Sequence, residues 1–241
     1  MRPIRRFYSK QQLAEGKVSI TGEEARHIHV FRLKQGDQVE LFDEQGKEGL
    51  GTIENIGKDT ILVDIQKIQK VRKTSINTTL ATSIPKGKRF DLLIQKATEL
   101  GADKIIPLIT KRTIVKPRET KIERLKKVAI EAAKQSKRNI SPEITEPITV
   151  DKLIEITSDY ELKLIASPNA DKTIKEVLQS VKPQRIICMI GPEGGFTNEE
   201  IALAETNNFI PVSLGEEVLR TETAGMTVLT MINYEYKLNT N

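Results

Sequence analysis

The chain has 241 residues, of which 38% are hydrophobic and 29% are charged, and its formal net charge is +5. Its single cysteine, Cys188, excludes a disulfide framework and a cysteine-ligated zinc site. The chain has only two histidines, which are too few to indicate a metal site. No apolar run approaches the ~18 residues of a membrane span. The basic start has no apolar stretch behind it, so we expect no signal peptide, no membrane or metal partner, and a cytoplasmic location.

Charge is distributed unevenly along the chain. Residues 1–72 carry a net +2, residues 73–140 carry +11 and residues 141–241 carry −8. A basic middle segment of this size indicates a polyanionic partner such as nucleic acid. The alternative is a solvated helix face, because lysine-rich helices are common on protein surfaces.

The first seventy residues have the pattern of short β-strands. Gly49–Ile56 and Thr60–Ile68 are rich in β-branched residues and are separated by a glycine turn, which favours a small barrel. The polar connector Gln69–Ser75 follows. We therefore expect an N-terminal β-barrel domain over residues 1–72 and a second domain over residues 73–241.

The second domain alternates strands with helices. The predicted strands are Asn77–Ser83, Lys104–Ile109, Leu162–Ala166 and Arg185–Ile190. The predicted helices are Arg89–Leu100, Lys121–Ser136, Ile174–Val181, Asn198–Asn207 and Thr223–Leu238. This alternation favours an α/β fold with a mainly parallel sheet covered on both faces.

Ligands of such sheets bind outside the carboxyl ends of the strands. Three segments follow apolar strands and are candidates: Leu164–Ala170, Ile190–Ile201 and Val212–Met226. The second is rich in glycine and precedes a helix whose Thr197 and Glu200 have capping-box spacing. It lacks the spacings of phosphate-binding loops, so it favours a neutral or cationic ligand held by the main chain. The alternative is a tight turn that needs glycine for its geometry alone.

The third segment contains Arg220, the one cation in an otherwise acidic stretch. It is either a surface salt-bridge residue, worth about 0–1 kcal/mol, or an anion-stabilising group. His27 and His29, near the barrel residue Arg32, are more typical of packing or surface positions than of a metal site, and RNA contact is the second alternative. Cys188 lies in an apolar run and is expected to be buried.

Several motifs together resemble one family. IGPEGGFTNEEI followed by SLGEEVLRTETA resembles the C-terminal signature of the RsmE family, within the SPOUT methyltransferases. Three further segments are also similar to segments of this family: KGKRFDLLIQKATELGADKIIPL, EAAKQSKRNISPEI and MRPIRRFY at the start of the chain. The resemblance covers nearly the whole chain, and the paired C-terminal motifs are highly specific.

The resemblance implies an N-terminal PUA-like β-barrel and a C-terminal SPOUT-type α/β domain with a trefoil knot, acting as a homodimer. It implies S-adenosyl-L-methionine as cofactor and methylation of N3 of one uridine in bacterial small-subunit (16S) ribosomal RNA. The implied cofactor contacts are Leu164, Ala166, Gly191, Gly195, Leu214, Gly215, Val218, Leu219 and Thr221.

Roles for charged residues follow from the resemblance and the basic segment. We expect Arg220 to stabilise the uridine anion and Glu222 to orient Arg220 or accept a proton, with Glu193 a weaker candidate base. The expected RNA contacts, on ribosomal RNA or the small ribosomal subunit, are Arg32, Lys86, Lys88, Arg89, Lys111, Arg112, Arg124 and Arg138.

Two alternatives remain at this stage. The chain could be a non-catalytic RNA-binding or ribosome-assembly factor, which would not bind S-adenosylmethionine. It could also be a SPOUT enzyme acting on another RNA position, although the match through the barrel disfavours that. A dehydrogenase is poorly supported because no dinucleotide fingerprint is present.

Overall fold

The computed structural model describes residues 4–70, 76–113 and 119–236. The chain divides into two compact units. The first comprises Met1–Lys73 and Ala133–Ser141, and the second comprises Thr74–Ala132 and Pro142–Asn241. A search of the described helices finds none with the length and apolar character that a bilayer span needs.

The first unit is built on a five-stranded sheet. Its elements in chain order are β1 (Arg5–Ser9), β2 (Gly16–Thr21), α1 (Glu23–Val30), β3 (Gln38–Asp43), β4 (Lys47–Ile56) and β5 (Thr60–Lys70). The strand order is β1-β3-β4-β5-β2, with β1 parallel to β3 and the other neighbours antiparallel. Ile61, Val63 and Ile65 alternate into the core of this unit, as their period of two predicts.

Helix α1 replaces the β structure expected around the two histidines. Glu23 and Glu24 occupy its first turn, where negative charge is favourable, and Ala25 and Ile28 are its buried residues. His27 Nδ1 lies 3.5 Å from Glu24 Oε1. The stretch therefore belongs to the first unit as expected, but as a helix.

The segment Ala133–Ser141 packs within the first unit, which no pattern in the sequence indicates. The Arg6 guanidinium donates to Asn139 Oδ1, and Lys134 Nζ donates to Glu24 Oε1 at 2.6 Å. Arg6 and Lys134 are nearly buried, with side-chain exposures of 8% and 9%. These contacts lie within the first unit, to which Ala133–Ser141 belong.

The second unit contains the remaining elements. Its strands are β6 (Asn77–Ser83), β7 (Lys104–Ile109), β8 (Glu143–Ile144), β9 (Ile148–Thr149), β10 (Leu162–Ala166), β11 (Arg185–Ile190) and β12 (Ile210–Val212). Its helices are α2 (Arg89–Glu99), α3 (Glu119–Gln135), α4 (Val150–Glu155), α5 (Ile174–Ser180), α6 (Asn198–Thr206) and α7 (Thr221–Tyr236). The four predicted strands and five predicted helices are confirmed, with helix ends that differ by up to two residues; residues 237 and 238 of the last prediction lie outside the described residues.

The strands of this unit form one sheet in the order β12-β10-β11-β6-β7-β8, with β9 also paired to β7. Every recorded pairing in it is parallel. Alternate residues of β11 enter two hydrophobic clusters: Ile186, Cys188 and Ile190 pack on one face, and Ile187 and Met189 on the other. The prediction of a parallel sheet covered on both faces is confirmed.

Candidate active site

The candidate ligand loops leave the same edge of the second sheet. Strand β10 is hydrogen-bonded to both β11 and β12, and all three run parallel. Their carboxyl ends therefore point the same way, followed by a first loop (167–173), a second loop (191–197) and a third loop (213–220). The three segments chosen from the sequence are thus neighbours, on the side of the sheet where α/β proteins bind ligands.

The second loop leads directly into a capped helix. Thr197 N donates to Glu200 Oε2 at 2.9 Å, and Glu200 N donates to Thr197 Oγ1 at 3.3 Å. This reciprocal pair is the predicted capping box at the start of α6. Within the loop, Gly195 N donates to Pro192 O at 2.8 Å and closes a tight turn.

The third loop is joined to both other loops. Thr221 Oγ1, at the start of α7, donates to Gly191 O at 3.0 Å. Ser213 N donates to Lys172 O at 2.8 Å, and Ser167 N donates to Val212 O at 3.0 Å. Helix α7 starts two residues earlier than predicted. Thr221 is therefore its first residue, and the hydrogen bond to Gly191 connects this helix to the second loop.

Two glycines of the candidate loops leave open space beside the main chain. A Cβ added to Gly195 (φ +69°) or to Gly215 (φ +144°) would meet no atom within 4 Å. Leu214 and Leu219, in the same loop as Gly215, are partly buried and pack against the core. Open main chain beside aliphatic side chains suits a ligand held by backbone groups and apolar contacts, such as S-adenosylmethionine.

The other predicted cofactor residues have different environments. Leu164 is fully buried in the core, two residues before the end of β10, whereas Ala166 ends that strand and is half-buried. Gly191 is half-buried, and Val218 is 77% exposed. Contact between each of these residues and a cofactor stays a prediction.

The two predicted catalytic residues lie at the amino end of α7. Arg220 is exposed, and no hydrogen bond or ion pair joins its guanidinium to another of the described residues. Glu222 is only 6% exposed, and its Oε2 has no hydrogen-bond partner among the residues that the structure describes. Buried carboxylate oxygens usually have partners, so Glu222 is an unusual group at the edge of the site. No hydrogen bond or ion pair joins Glu222 to Arg220 here, and the roles of both residues stay predictions.

Five of the predicted RNA-binding residues flank the same edge. Lys86 and Lys88 lie between β6 and α2, and Arg89 begins that helix. Lys111 and Arg112 follow β7. Exposed cations near the loops suit a phosphate backbone.

Two of these arginines contact the second loop. Arg89 Nη2 lies 3.1 Å from Glu193 Oε1, and Arg112 Nη1 donates to Gly194 O at 2.6 Å. These pairs are more than eighty residues apart in sequence, so no local pattern could have identified them. The buried Glu200 similarly accepts a hydrogen bond from Lys111 N at 2.8 Å.

The other predicted RNA-binding residues lie elsewhere. Arg124, on α3, forms a two-point ion pair with Asp91 of α2, in which Nη2 and Oδ1 are 2.7 Å apart. Arg32 and Arg138 belong to the first unit, exposed and half-buried respectively. RNA contact by any of the eight residues stays a prediction.

Two other residues singled out in the sequence have contacts within their own units, and RNA contact by His29 stays a prediction. His29 Nε2 lies 3.1 Å from Gly57 O, a contact within the first unit. Cys188 is buried in the core of the second unit, and burial raises the pKa of its thiol, so the expectation of a buried hydrophobe is confirmed.

Comparison with known proteins decides the family. Residues 72–233 match an RNA methyltransferase domain, and residues 20–66 match an RNA methyltransferase PUA domain. The ribosomal RNA small subunit methyltransferase E of Rickettsia conorii is 36% identical, covering 94% of each chain. The chain belongs to the ribosomal RNA small subunit methyltransferase E family. The family member of Bacillus subtilis is 32% identical over 95% of both chains.

Solved structures of similar proteins agree with this membership. The family member of Neisseria gonorrhoeae, bound to S-adenosyl methionine, superposes with a TM-score of 0.89 at 30% identity, covering 97% of this chain and 98% of that one. A Legionella pneumophila protein in complex with bound SAM superposes with a TM-score of 0.87 at 34% identity and the same coverage. The SPOUT-type α/β fold and the PUA-like unit expected from the sequence are thereby confirmed.

Proposed function

We propose that this chain transfers the methyl group of S-adenosylmethionine to N3 of a uridine in small-subunit ribosomal RNA. Methylation of small-subunit ribosomal RNA with this donor follows from membership of the family. The single observation that carries the local assignment is the Arg220 guanidinium, which has no hydrogen bond or ion pair to another of the described residues, at the edge where Gly195 and Gly215 leave open space beside the main chain. We assign RNA binding to residues 1–72 and methyl transfer to residues 73–241.

The donor, when bound, supplies a methyl group already activated by a sulfonium. The protein therefore has mainly to bind, orient and exclude water. Gly195 and Gly215 offer main chain with open space beside it, and Leu214 and Leu219 offer apolar surface. The hydrogen bond from Thr221 to Gly191 keeps the second and third loops together before the ligand arrives.

Arg220 is assigned to the loss of the uridine N3 proton, the difficult part of the reaction. Uridine N3 must lose a weakly acidic proton, and the negative charge then spreads to the neighbouring carbonyl oxygens. A guanidinium close to those oxygens lowers the pKa of N3 and stabilises the charge that develops. Because no described carboxylate or carbonyl engages the Arg220 side chain, its donors are available for this purpose.

The proton acceptor is assigned to Glu222. Its Oε2 is buried and accepts no hydrogen bond from any described residue, so this oxygen can take a proton. Glu193 is the weaker candidate because it is exposed and Arg89 pairs with it. A base that is held by a cation in solvent is less available as an acceptor.

We place the chain in the cytoplasm as a homodimer that binds ribosomal RNA or the small subunit. Leu92, Val218 and Tyr234 of the second unit are large apolar side chains with exposures of 41%, 77% and 66%, which a second copy could cover. Lys86, Lys88 and Lys111 provide cations for phosphates. Sedimentation of the pure protein tests the oligomeric state.

The function is tested by finding the missing methyl group. Small-subunit ribosomal RNA from a strain without this protein is compared with wild-type RNA by mass spectrometry, and the pure protein is then incubated with the unmethylated RNA and labelled donor. The proposal requires one N3-methyluridine to be absent from the mutant and restored in vitro. A restored methyl group on a ribose or another base would refute the N3 assignment, and no transfer with unchanged RNA would support a non-catalytic assembly factor.

A further inference from the structure

Arg112 stands on a turn that is fixed at several points. In the turn that follows β7, Thr113 N donates to Thr110 O at 3.1 Å, and Thr110 N donates to Thr113 Oγ1 at 2.8 Å. Lys111 N donates at 2.8 Å to Glu200, a carboxylate that is 4% exposed. The backbone that carries the Arg112 side chain is therefore held on both sides of that residue.

The Arg112 side chain ends on one peptide bond of the glycine loop. Its Nη1 donates to Gly194 O at 2.6 Å and lies 3.5 Å from Phe196 O. On the other side of the same peptide bond, Gly195 N donates to Pro192 O at 2.8 Å. Both polar groups of the Gly194–Gly195 peptide are thus engaged, and the peptide plane cannot rotate without breaking one of these bonds.

This peptide borders the open space of the second loop. Gly195 has φ +69° and leaves free space beside its Cα. Glycine is the residue most able to leave such a conformation, so a loop with adjacent glycines needs an external contact to keep one geometry. A site that is already in its bound conformation loses less entropy when the ligand binds.

We propose that Arg112 is a positioning residue that fixes the Gly194–Gly195 peptide in the orientation required by the methyl donor. The inference rests on the proposed function, in which the second loop holds S-adenosylmethionine. It gives Arg112 a different role from the RNA contact expected from the basic segment. The guanidinium acts through the loop and does not touch the reacting atoms.

Two substitutions distinguish the positive charge of Arg112 from the hydrogen bonding of its planar guanidinium. Arg112→Ala removes both, and Arg112→Lys keeps the charge but removes the planar guanidinium. We expect Arg112→Ala to raise the Kd of S-adenosylmethionine about ten-fold, the effect of losing one hydrogen bond from a charged donor. Arg112→Lys should bind RNA normally and still bind the donor more weakly than wild type.

Steady-state kinetics add a readout that a general loss of structure would not give. If Arg112 only prepares the loop, KM for the donor rises while kcat at saturating donor stays within about two-fold of wild type. The RNA affinity and its dependence on salt should not change. Isothermal calorimetry with S-adenosylmethionine and a binding titration with small-subunit ribosomal RNA at several salt concentrations supply the remaining values.

Arg185→Ala is the matched control. Arg185 is also a partly exposed arginine with a protein partner, Asp159 Oδ2 at 3.3 Å, but it lies at the other end of the strand that leads into the second loop. Its removal should leave the Kd of the donor unchanged. Thermal unfolding of all variants checks that each is folded.

The possible outcomes are distinct. Wild-type protein that binds no donor overturns the proposed function and this inference together. Wild-type protein that binds the donor, with Arg112→Ala binding it equally well, overturns the inference alone. An Arg112→Ala variant with unchanged donor affinity and a salt slope reduced by about one identifies Arg112 as a phosphate contact.

Discussion

Two arginines at the carboxyl edge of the second sheet differ in what their side chains contact. Arg112 donates to a loop carbonyl and stands on a hydrogen-bonded turn, whereas Arg220 has no side-chain partner among the described residues. Both are exposed and both lie near the glycine loop. An engaged guanidinium maintains the geometry of the protein, and an unengaged one is available to a substrate.

Two carboxylates at this edge, those of Glu193 and Glu222, differ in their burial and in their contacts. Glu193 is on the surface and paired with Arg89, whereas Glu222 is buried and one of its oxygens has no partner among the described residues. An exposed ion pair of this kind contributes little to stability. Burying a carboxylate oxygen without a hydrogen-bond donor is costly, so this oxygen calls for an explanation, and we propose its use as a proton acceptor.

The largest effect is expected for Arg220→Ala. Loss of a preorganised cation should lower kcat about 10²–10³-fold, while the donor Kd stays within about two-fold because the loops are unchanged. A methyl-transfer assay and donor calorimetry measure the two quantities, with Arg185→Ala as the arginine control. Near-normal turnover would remove Arg220 from the mechanism and end the contrast with Arg112.

The next effect is expected for Glu222→Gln. The amide cannot accept the N3 proton, so turnover should fall about 10²-fold, as for removal of a general base. Glu193→Gln serves as the comparison and should change turnover less than about three-fold because its partner is only a surface arginine. The reverse order of the two variants in the same assay would assign the base to Glu193.

Gly225→Ala tests the support of the catalytic helix. A Cβ at Gly225 would lie 2.8 Å from Leu93 Cδ1, where α7 packs on α2. The crowding should lower the free energy of unfolding by about 1–2 kcal/mol, visible as a lower Tm in thermal denaturation. An unchanged Tm would mean that the Leu93 side chain moves aside, or that the higher helix propensity of alanine offsets the crowding.

The smallest effect is expected for Lys88→Ala. If this lysine contacts one phosphate, the slope of log affinity against log salt should become shallower by about 0.7–0.9, and the donor Kd should not change. Lys182→Ala, an exposed lysine on a loop at the other end of β11, is the matched control. An unchanged slope in RNA titrations would mean that the basic segment meets RNA elsewhere.

The fold could be predicted in large part because its strands are short, apolar and bounded by turn signals. Leu162–Ala166 and Arg185–Ile190 were found at their observed bounds, and the Thr197–Glu200 capping box marked the start of α6. The three-residue β12 and the helix α1 could not be predicted, because the first is too short for any periodicity and the second has only two buried residues.

The site could be predicted only where its chemistry is local. The glycine loop and Arg220 stand in sequence motifs that are recognisable without the structure. The Arg112–Gly194 bond and the contact of Glu200 with Lys111 join segments 82 and 89 residues apart, and only the sheet topology brings them together. The basic composition of the segment predicts an RNA contact for Arg112. Its hydrogen bond to Gly194 O favours a role in positioning the second loop.

A crystal structure of this chain with S-adenosylmethionine tests whether the loops at the carboxyl edge of the second sheet hold the methyl donor. We expect the donor beside Gly195 and Gly215, with its methyl group facing the Arg220 guanidinium and the Gly194 carbonyl still bound to Arg112. Donor density at any other position, or a second loop folded into that space so that adenosine could not enter, would contradict it.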